Sequence, residues 1–233
     1  EEDSLSLTYR IGHNNGPFPG SGFRGRGGTI YQWTLGFNRS AQEIAWERGD
    51  LELYETMMEH TPDRSRFLIA CMLANRSLAE EIAEQNPDIL SELGDDDLAL
   101  LAKSCWETNL SIDAVRLMLD LGFPVNQPES NHGHAALHNA SWCGDAHLVG
   151  LLLAHGAAVN VADPNHQSTP IDWAIHSCVE AKRHPDGDFG AVVSLLLDAG
   201  ARLDTTRYPV GDLAIDTALA KKLDLKDQSA NPE

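Results

Sequence analysis

The feature that most constrains this chain is internal self-similarity. His134-Ala-Ala-Leu-His138 opens a stretch that runs through Trp142, Cys143, Gly144, Leu148-Val149, Leu151-Leu152-Leu153 and Gly156 to Val159-Asn160. A second stretch repeats the plan, with Thr169-Pro170-Ile171-Asp172-Trp173-Ala174 and then Val192-Val193-Ser194-Leu195-Leu196-Leu197 before Gly200. Ala140 and Ala174 stand about 34 residues apart, in the range of helical repeat units. A unit this short cannot bury its own apolar face, so repetition implies neighbours stacked side by side.

Each part of the unit has a physical task. Thr169 is a helix cap, and Pro170 suits the first helical position, where no backbone donor is needed. Leu137 and Ile171 begin the buried face, while Ala140 and Ala174 are small enough for neighbouring helices to approach. Gly144 fits a tight turn between two helices. Leu148, Val149, Leu151, Leu152 and Leu153 form the apolar side of the second helix, which Gly156 ends in a left-handed cap. Neither helix would be stable alone. Weaker copies run toward the N-terminus: Ser40 to Tyr54, Phe67 to Ala83 with Ala70 in the small position and no glycine in its turn, and Leu98 to Asn126. From Tyr208 to Leu223 the second helix is lost, as in a terminal capping unit.

Ala135-Ala-Leu-His138 and Thr169-Pro-Ile-Asp172 resemble the Thr-Pro-Leu-His signature of the ankyrin-repeat family, strongly at 134–204 and in degenerate form at about 40–126. The resemblance implies an all-α ankyrin-repeat solenoid of about five helix–turn–helix repeats with extended fingers and a C-terminal cap. Its expected divisions are a Gly/Pro-rich basic finger at 1–39, repeats at about 40–65, 66–96, 97–131, 132–165 and 166–206, a capping unit at 207–226 and a disordered tail at 227–233. Leu5 to Tyr9 is compatible with the tail of a preceding repeat. The family implies protein–protein recognition through finger tips and inner helices, and a role for His138 in bracing its finger.

Several features depart from a plain stack. Residues 4–42 contain no acidic side chain but carry Arg10, Arg24, Arg26 and Arg39 amid glycines and prolines. This composition reads either as a protruding binding loop, with Trp33 in its one strand-like run, or as an insertion packed on its own repeat. Residues 77–102 show the opposite bias, with no basic residue, and read as a solvated face or a dock for a basic segment. Trp46, Trp106, Trp142 and Trp173 fall on first helices. Trp142 lies where an inner-face side chain is displayed, whereas Trp173 sits within the core pattern. His132, His134 and His166 belong to finger tips. The candidate partner-contact residues are therefore Trp142, His132, His134, His166, Arg24, Arg26 and Trp33.

The net charge of −18 repels phosphate backbones, so a protein with a basic surface is the expected partner and nucleic acid is not. No apolar run reaches the length of a bilayer span. No phosphate loop, zinc-protease helix or nucleophile elbow is present, so no catalytic residue is assigned. A metal set drawn from His176, Cys178, His184, Asp186 and Asp188 matches no standard zinc spacing, and Pro185-Asp-Gly187 reads as turn chemistry. No metal or cofactor is expected. Cysteines without a CxxC pair suit buried thiols and a cytoplasmic setting. The expected function is a non-catalytic interaction module, monomeric or weakly self-associating. The alternative is a regulatory or scaffolding part of a larger enzyme, or a self-associating structural module.

Overall fold

The computed structural model describes residues 40–106, 111–129, 133–203 and 208–223. Among these residues all regular structure is helical. The basic segment at 1–39, with Arg24, Arg26 and Trp33, lies outside them, as do His132 and the tail at 227–233. The chain divides between Glu92 and Leu93 into two compact units.

The first unit holds α1 (Ala41–Glu47), α2 (Leu51–Glu59), α3 (Asp63–Met72), α4 (Arg76–Gln85) and the short α5 (Ile89–Glu92). Helix α1 packs against α2, and α3 against α4. Ser40 starts α1 through a reciprocal cap: its hydroxyl accepts the Glu43 amide at 3.1 Å, and its own amide donates to the Glu43 carboxylate at 2.6 Å. Ala45, Tyr54, Met58 and Ile69 form a core cluster, with Trp46, Leu73 and Leu78 partly buried against it. Phe67 is fully buried; removing a ring of this kind costs about 3–5 kcal/mol.

The second unit holds α6 (Asp95–Leu98), α7 (Leu100–Lys103), α8 (Ile112–Asp120), α9 (Ala136–Cys143), α10 (Ala146–Ala154), α11 (Pro170–His176), α12 (Phe189–Asp198) and α13 (Leu213–Leu223). Helix α9 packs on α7, α10 and α11; α12 packs on α10, α11 and α13. Leu117, Leu137, Leu148, Leu152, Ile171, Leu196 and Ile215 are fully buried. Each side chain of this size contributes about 1.5–3 kcal/mol through its burial. The first helix of the 97–131 stretch is not continuous: α6 ends and α7 begins at Ala99. Of the apolar run in α10, Leu148, Val149 and Leu152 are buried, while Leu151 and Leu153 are half-buried.

One turn recurs between paired helices. Gly49, Ala74 and Gly144 have φ of 71°, 53° and 70°. Each precedes an Asp or Asn whose side chain caps the next helix: Asp50 accepts the Leu53 amide, Asn75 the Leu78 amide and Asp145 the Leu148 amide. The amides of Asp50, Asn75 and Asp145 in turn donate to the carbonyls of Ala45, Ala70 and Ala140, at 3.0, 2.8 and 3.2 Å. The small alanine and the capping Asp or Asn are thus the two ends of one hydrogen-bonded turn, with the positive-φ residue just inside it. Gly144 has a further constraint, because a Cβ there would stand 2.8 Å from the Gly187 Cα. Ala74 occupies the left-handed position without glycine's freedom. An L-residue held there costs roughly 1–2 kcal/mol, partly offset in glycine by unfolded-chain entropy. Ala74→Gly is therefore expected to raise stability by about 0.5–1 kcal/mol in urea unfolding; an equal loss would contradict the strain.

Successive finger bases in the second unit are tied by one asparagine each. Asn126 donates to the Gly156 carbonyl at 3.2 Å and accepts the Ala158 amide at 2.8 Å. Asn160 does the same with the Gly200 carbonyl at 2.9 Å and the Arg202 amide at 2.8 Å. The excursion after α11 begins as a π turn, Ser177–Ala181. It returns at Asp188, whose amide donates to the Gly144 carbonyl at 2.9 Å. The insertion is pinned to the turn of the preceding helix pair. No helix among the described residues is long and apolar enough to cross a membrane.

Candidate partner-binding site

The site is built on two finger loops of the second unit and the helices that follow them. In the loop before α11, the Asp163 amide donates to the Ser168 carbonyl at 2.9 Å, and Gln167 donates back to the Asp163 carbonyl at 3.0 Å. The Asp163 side chain, fully buried, accepts four further bonds. The amides of Asn165 and His166 donate to Oδ1 at 2.9 and 2.7 Å, and the Ser168 amide to Oδ2 at 3.1 Å. The Trp173 indole N–H completes the set, donating to Oδ2 at 3.0 Å. Burial alone would push this carboxyl up, but the donors outweigh it and hold it at about 2. A buried anion is tolerable only with this degree of satisfaction.

The preceding loop follows the same scheme with different residues. The Glu129 amide donates to the His134 carbonyl at 2.9 Å, and the buried Glu129 carboxylate accepts the Asn139 side-chain amide at 2.9 Å. Asn139 also donates to the Ala102 carbonyl at 2.9 Å, reaching the helix pair before it. Asn139 and Trp173 hold equivalent places in α9 and α11.

His138 braces its finger as the repeat signature implies. Its Nδ1 accepts the Ala135 amide at 3.3 Å, which leaves the proton on Nε2 to donate to the Val161 carbonyl at 3.0 Å. At the equivalent place Asp172 accepts both the amide and the hydroxyl of Thr169 on Oδ2, at 2.9 and 2.7 Å. Burial lowers the His138 pKa, against the smaller favourable effect of the Val161 carbonyl. The unfolded chain therefore takes up this proton first, and stability from the neutral ring is present above pH ~6.5 and lost as pH falls below it. The urea midpoint is expected to drop from pH 8 to pH 5.5, with a smaller drop in His138→Gln. Equal drops in the two proteins would assign the effect to other groups.

Above these loops the aromatic residues converge. Trp106, Trp142, Trp173, His166, Ser168, Asp172 and His176 line a cavity of about 310 Å³. Trp142 stacks near-parallel to Trp106, with ring centres 6.2 Å apart, and meets Trp173 edge-on at 5.6 Å and 70°. His176 lies 5.8 Å from Trp142. Helix α9 carries Trp142, α11 carries Asp172, Trp173 and His176, the finger supplies His166 and Ser168, and Trp106 follows α7. The Ser177 hydroxyl donates to the Trp142 carbonyl at 2.7 Å and holds the two helices in register. The Trp142 indole N–H is itself buried and meets no acceptor among the described residues.

Trp142 thus lies half-buried in the cavity wall, and His166 is exposed at its rim. Trp173 is 8% exposed, a core residue with one face on the cavity. His134 is half-buried with its ring edge against Trp173 at 4.3 Å. The structural aspartate, Asp163, and its counterpart Glu129 are not distinguished by sequence pattern. Their acceptor role depends on a partner ten residues further along a helix.

A second cleft of about 390 Å³ lies beside the excursion, between Cys143–Asp145 and Arg183–Gly187. Among the described residues no three His, Cys, Asp or Glu side chains are grouped to hold a metal ion. Cys71, Cys105 and Cys143 are buried and Cys178 is half-buried, none in a disulfide. Burial pushes the Cys71 thiol up to about 12, so it is not a nucleophile near neutral pH.

Paired helices with left-handed turns, asparagine-tied finger bases and an N-terminal brace on the first helix define the fold of an ankyrin-repeat domain. A crystal structure of an ankyrin repeat domain from Acinetobacter baumannii AYE is similar to 78% of this chain and 96% of its own length, with a TM-score of 0.55 and 18% sequence identity. No protein-family model matches the chain, and no curated protein does.

Proposed function

We propose that the chain is a non-catalytic protein-recognition module whose second unit binds its partner at the tryptophan-lined cavity. The observation that carries this reading is the convergence of Trp106, Trp142 and Trp173 with His166 and Ser168 of the finger on one cavity. Aromatic side chains in partly desolvated pockets are the usual anchors of protein interfaces. Ankyrin-repeat folds in general act in protein–protein interaction, and a charge of −18 favours a partner with a basic surface while opposing nucleic acid. On this reading the repeats fall at about 40–65, 66–96, 97–131, 132–165 and 166–206, and α13 is the body of a C-terminal cap. Buried thiols outside disulfides fit a reducing compartment such as the cytoplasm.

The test is capture. The immobilised chain is exposed to a lysate of its source cells beside a Trp106→Ala, Trp142→Ala double variant whose circular dichroism matches the parent. A protein retained by the parent and lost by the variant is the expected result. Equal retention by both would remove the cavity from recognition.

A further inference from the structure

We propose that the cavity accepts an arginine side chain of the partner, with the guanidinium lying on indole faces and facing the Asp172 carboxylate. The inference rests on the recognition reading above and names the group recognised. The cavity walls include three indoles, two of them, Trp142 and Trp173, set at 70° to each other. Indole faces attract cations through their quadrupole, more strongly when the site is desolvated. The cavity lining includes Asp172 and, among the described residues, no lysine or arginine. Two hydrogen bonds from Thr169 anchor that carboxylate on the helix start, so its negative charge is held in place before any ligand arrives.

The choice between cations follows from hydration. A lysine ammonium is strongly hydrated and needs up to three acceptors to replace its water. Among the described residues the lining offers one carboxylate, Asp172, beside the Ser168 hydroxyl and the imidazoles of His166 and His176, and no second carboxylate. A guanidinium is more weakly hydrated, planar, and stacks on aromatic faces while its edge donates to a carboxylate. The cavity of about 310 Å³ is at the small end of ligand pockets, a scale that suits one long side chain. The chain's charge of −18 adds a long-range attraction that a neutral apolar anchor would not use.

The test uses the full chain labelled with ¹⁵N and three probes: the N-acetyl methylamides of arginine, of lysine and of citrulline, the last being arginine's neutral near-isostere. The indole N–H signals of Trp106 and Trp142 are assigned with Trp106→Phe and Trp142→Phe. The arginine derivative is expected to shift both signals, with a Kd at least about fivefold lower than that of citrulline and below that of lysine. Citrulline binding as tightly as arginine, or neither signal moving with arginine at its solubility limit, would overturn the proposal. The probe comparison is made on the unaltered protein, so it does not depend on any variant folding. Lysate capture that still requires Trp106 and Trp142 would leave the recognition reading standing even if the arginine preference failed.

Discussion

Asp163→Ala is expected to lower the unfolding free energy by about 3–4 kcal/mol. The side chain accepts three backbone amides of its own loop and the Trp173 indole. Removing it leaves these donors facing each other in a site with no exposure. An unsatisfied buried donor costs about 1–3 kcal/mol, although water entering the loop offsets part of that. The proton linkage gives an independent gauge. A carboxyl held at about 2 rather than 3.8 contributes about 2 kcal/mol at neutral pH. The sign is fixed by the depressed value: the stabilisation is complete above pH ~4 and is lost as pH falls from there toward 2. Urea unfolding at pH 7, followed by tryptophan fluorescence, measures the loss. Asp163→Asn keeps one acceptor but no charge, so it should fall between parent and alanine variant and decline less than the parent between pH 4 and 2. A loss below about 1 kcal/mol for Asp163→Ala would mean that the loop holds its shape without the carboxylate.

Trp142→Ala is expected to weaken binding of the captured partner by about 30-fold or more, corresponding to about 2 kcal/mol, the scale of an interface hot spot. Trp142 contacts Trp106 on one side and Trp173 and His176 on others, so its removal opens both walls of the cavity. The helix start is unaffected, because α9 is braced at His138. Surface plasmon resonance on parent and variant measures the change. His155→Ala, on an exposed position at the end of α10, should bind within about twofold of the parent. Equal losses in both variants would point to a general loss of stability rather than a local contact.

The divide between what the sequence disclosed and what it did not is physical. The small alanines, Gly144, Gly156 and the Thr169-Pro170 helix start were legible because backbone geometry alone dictates them. Trp173 was legible as a core residue from its place in the helical period, and His138 as a brace from the repeat signature. Ala74 showed as a missing glycine but not as a strained residue, since only φ distinguishes the two. Asp163 reads in sequence as an ordinary loop aspartate before Pro164-Asn165; its donors become visible only when the loop folds back on Trp173. Trp106 and Trp142 both read as first-helix residues; Trp142 does lie in α9, but Trp106 falls beyond the end of α7 at Lys103. Their stacking depends on how α9 seats against α7, which no local pattern fixes. The break at Ala99 is likewise not announced by any helix-breaking residue.

Photo-crosslinking from the cavity rim tests the central claim most directly. p-Benzoylphenylalanine is placed at His166, exposed beside Trp142 and Trp173, and in a second protein at His155 as a control. With the captured partner present, irradiation should give a covalent adduct from position 166, suppressed by Trp142→Ala in the same chain, and little from position 155. Adducts from position 155 with none from position 166 would place the partner elsewhere and contradict the assignment of recognition to this cavity.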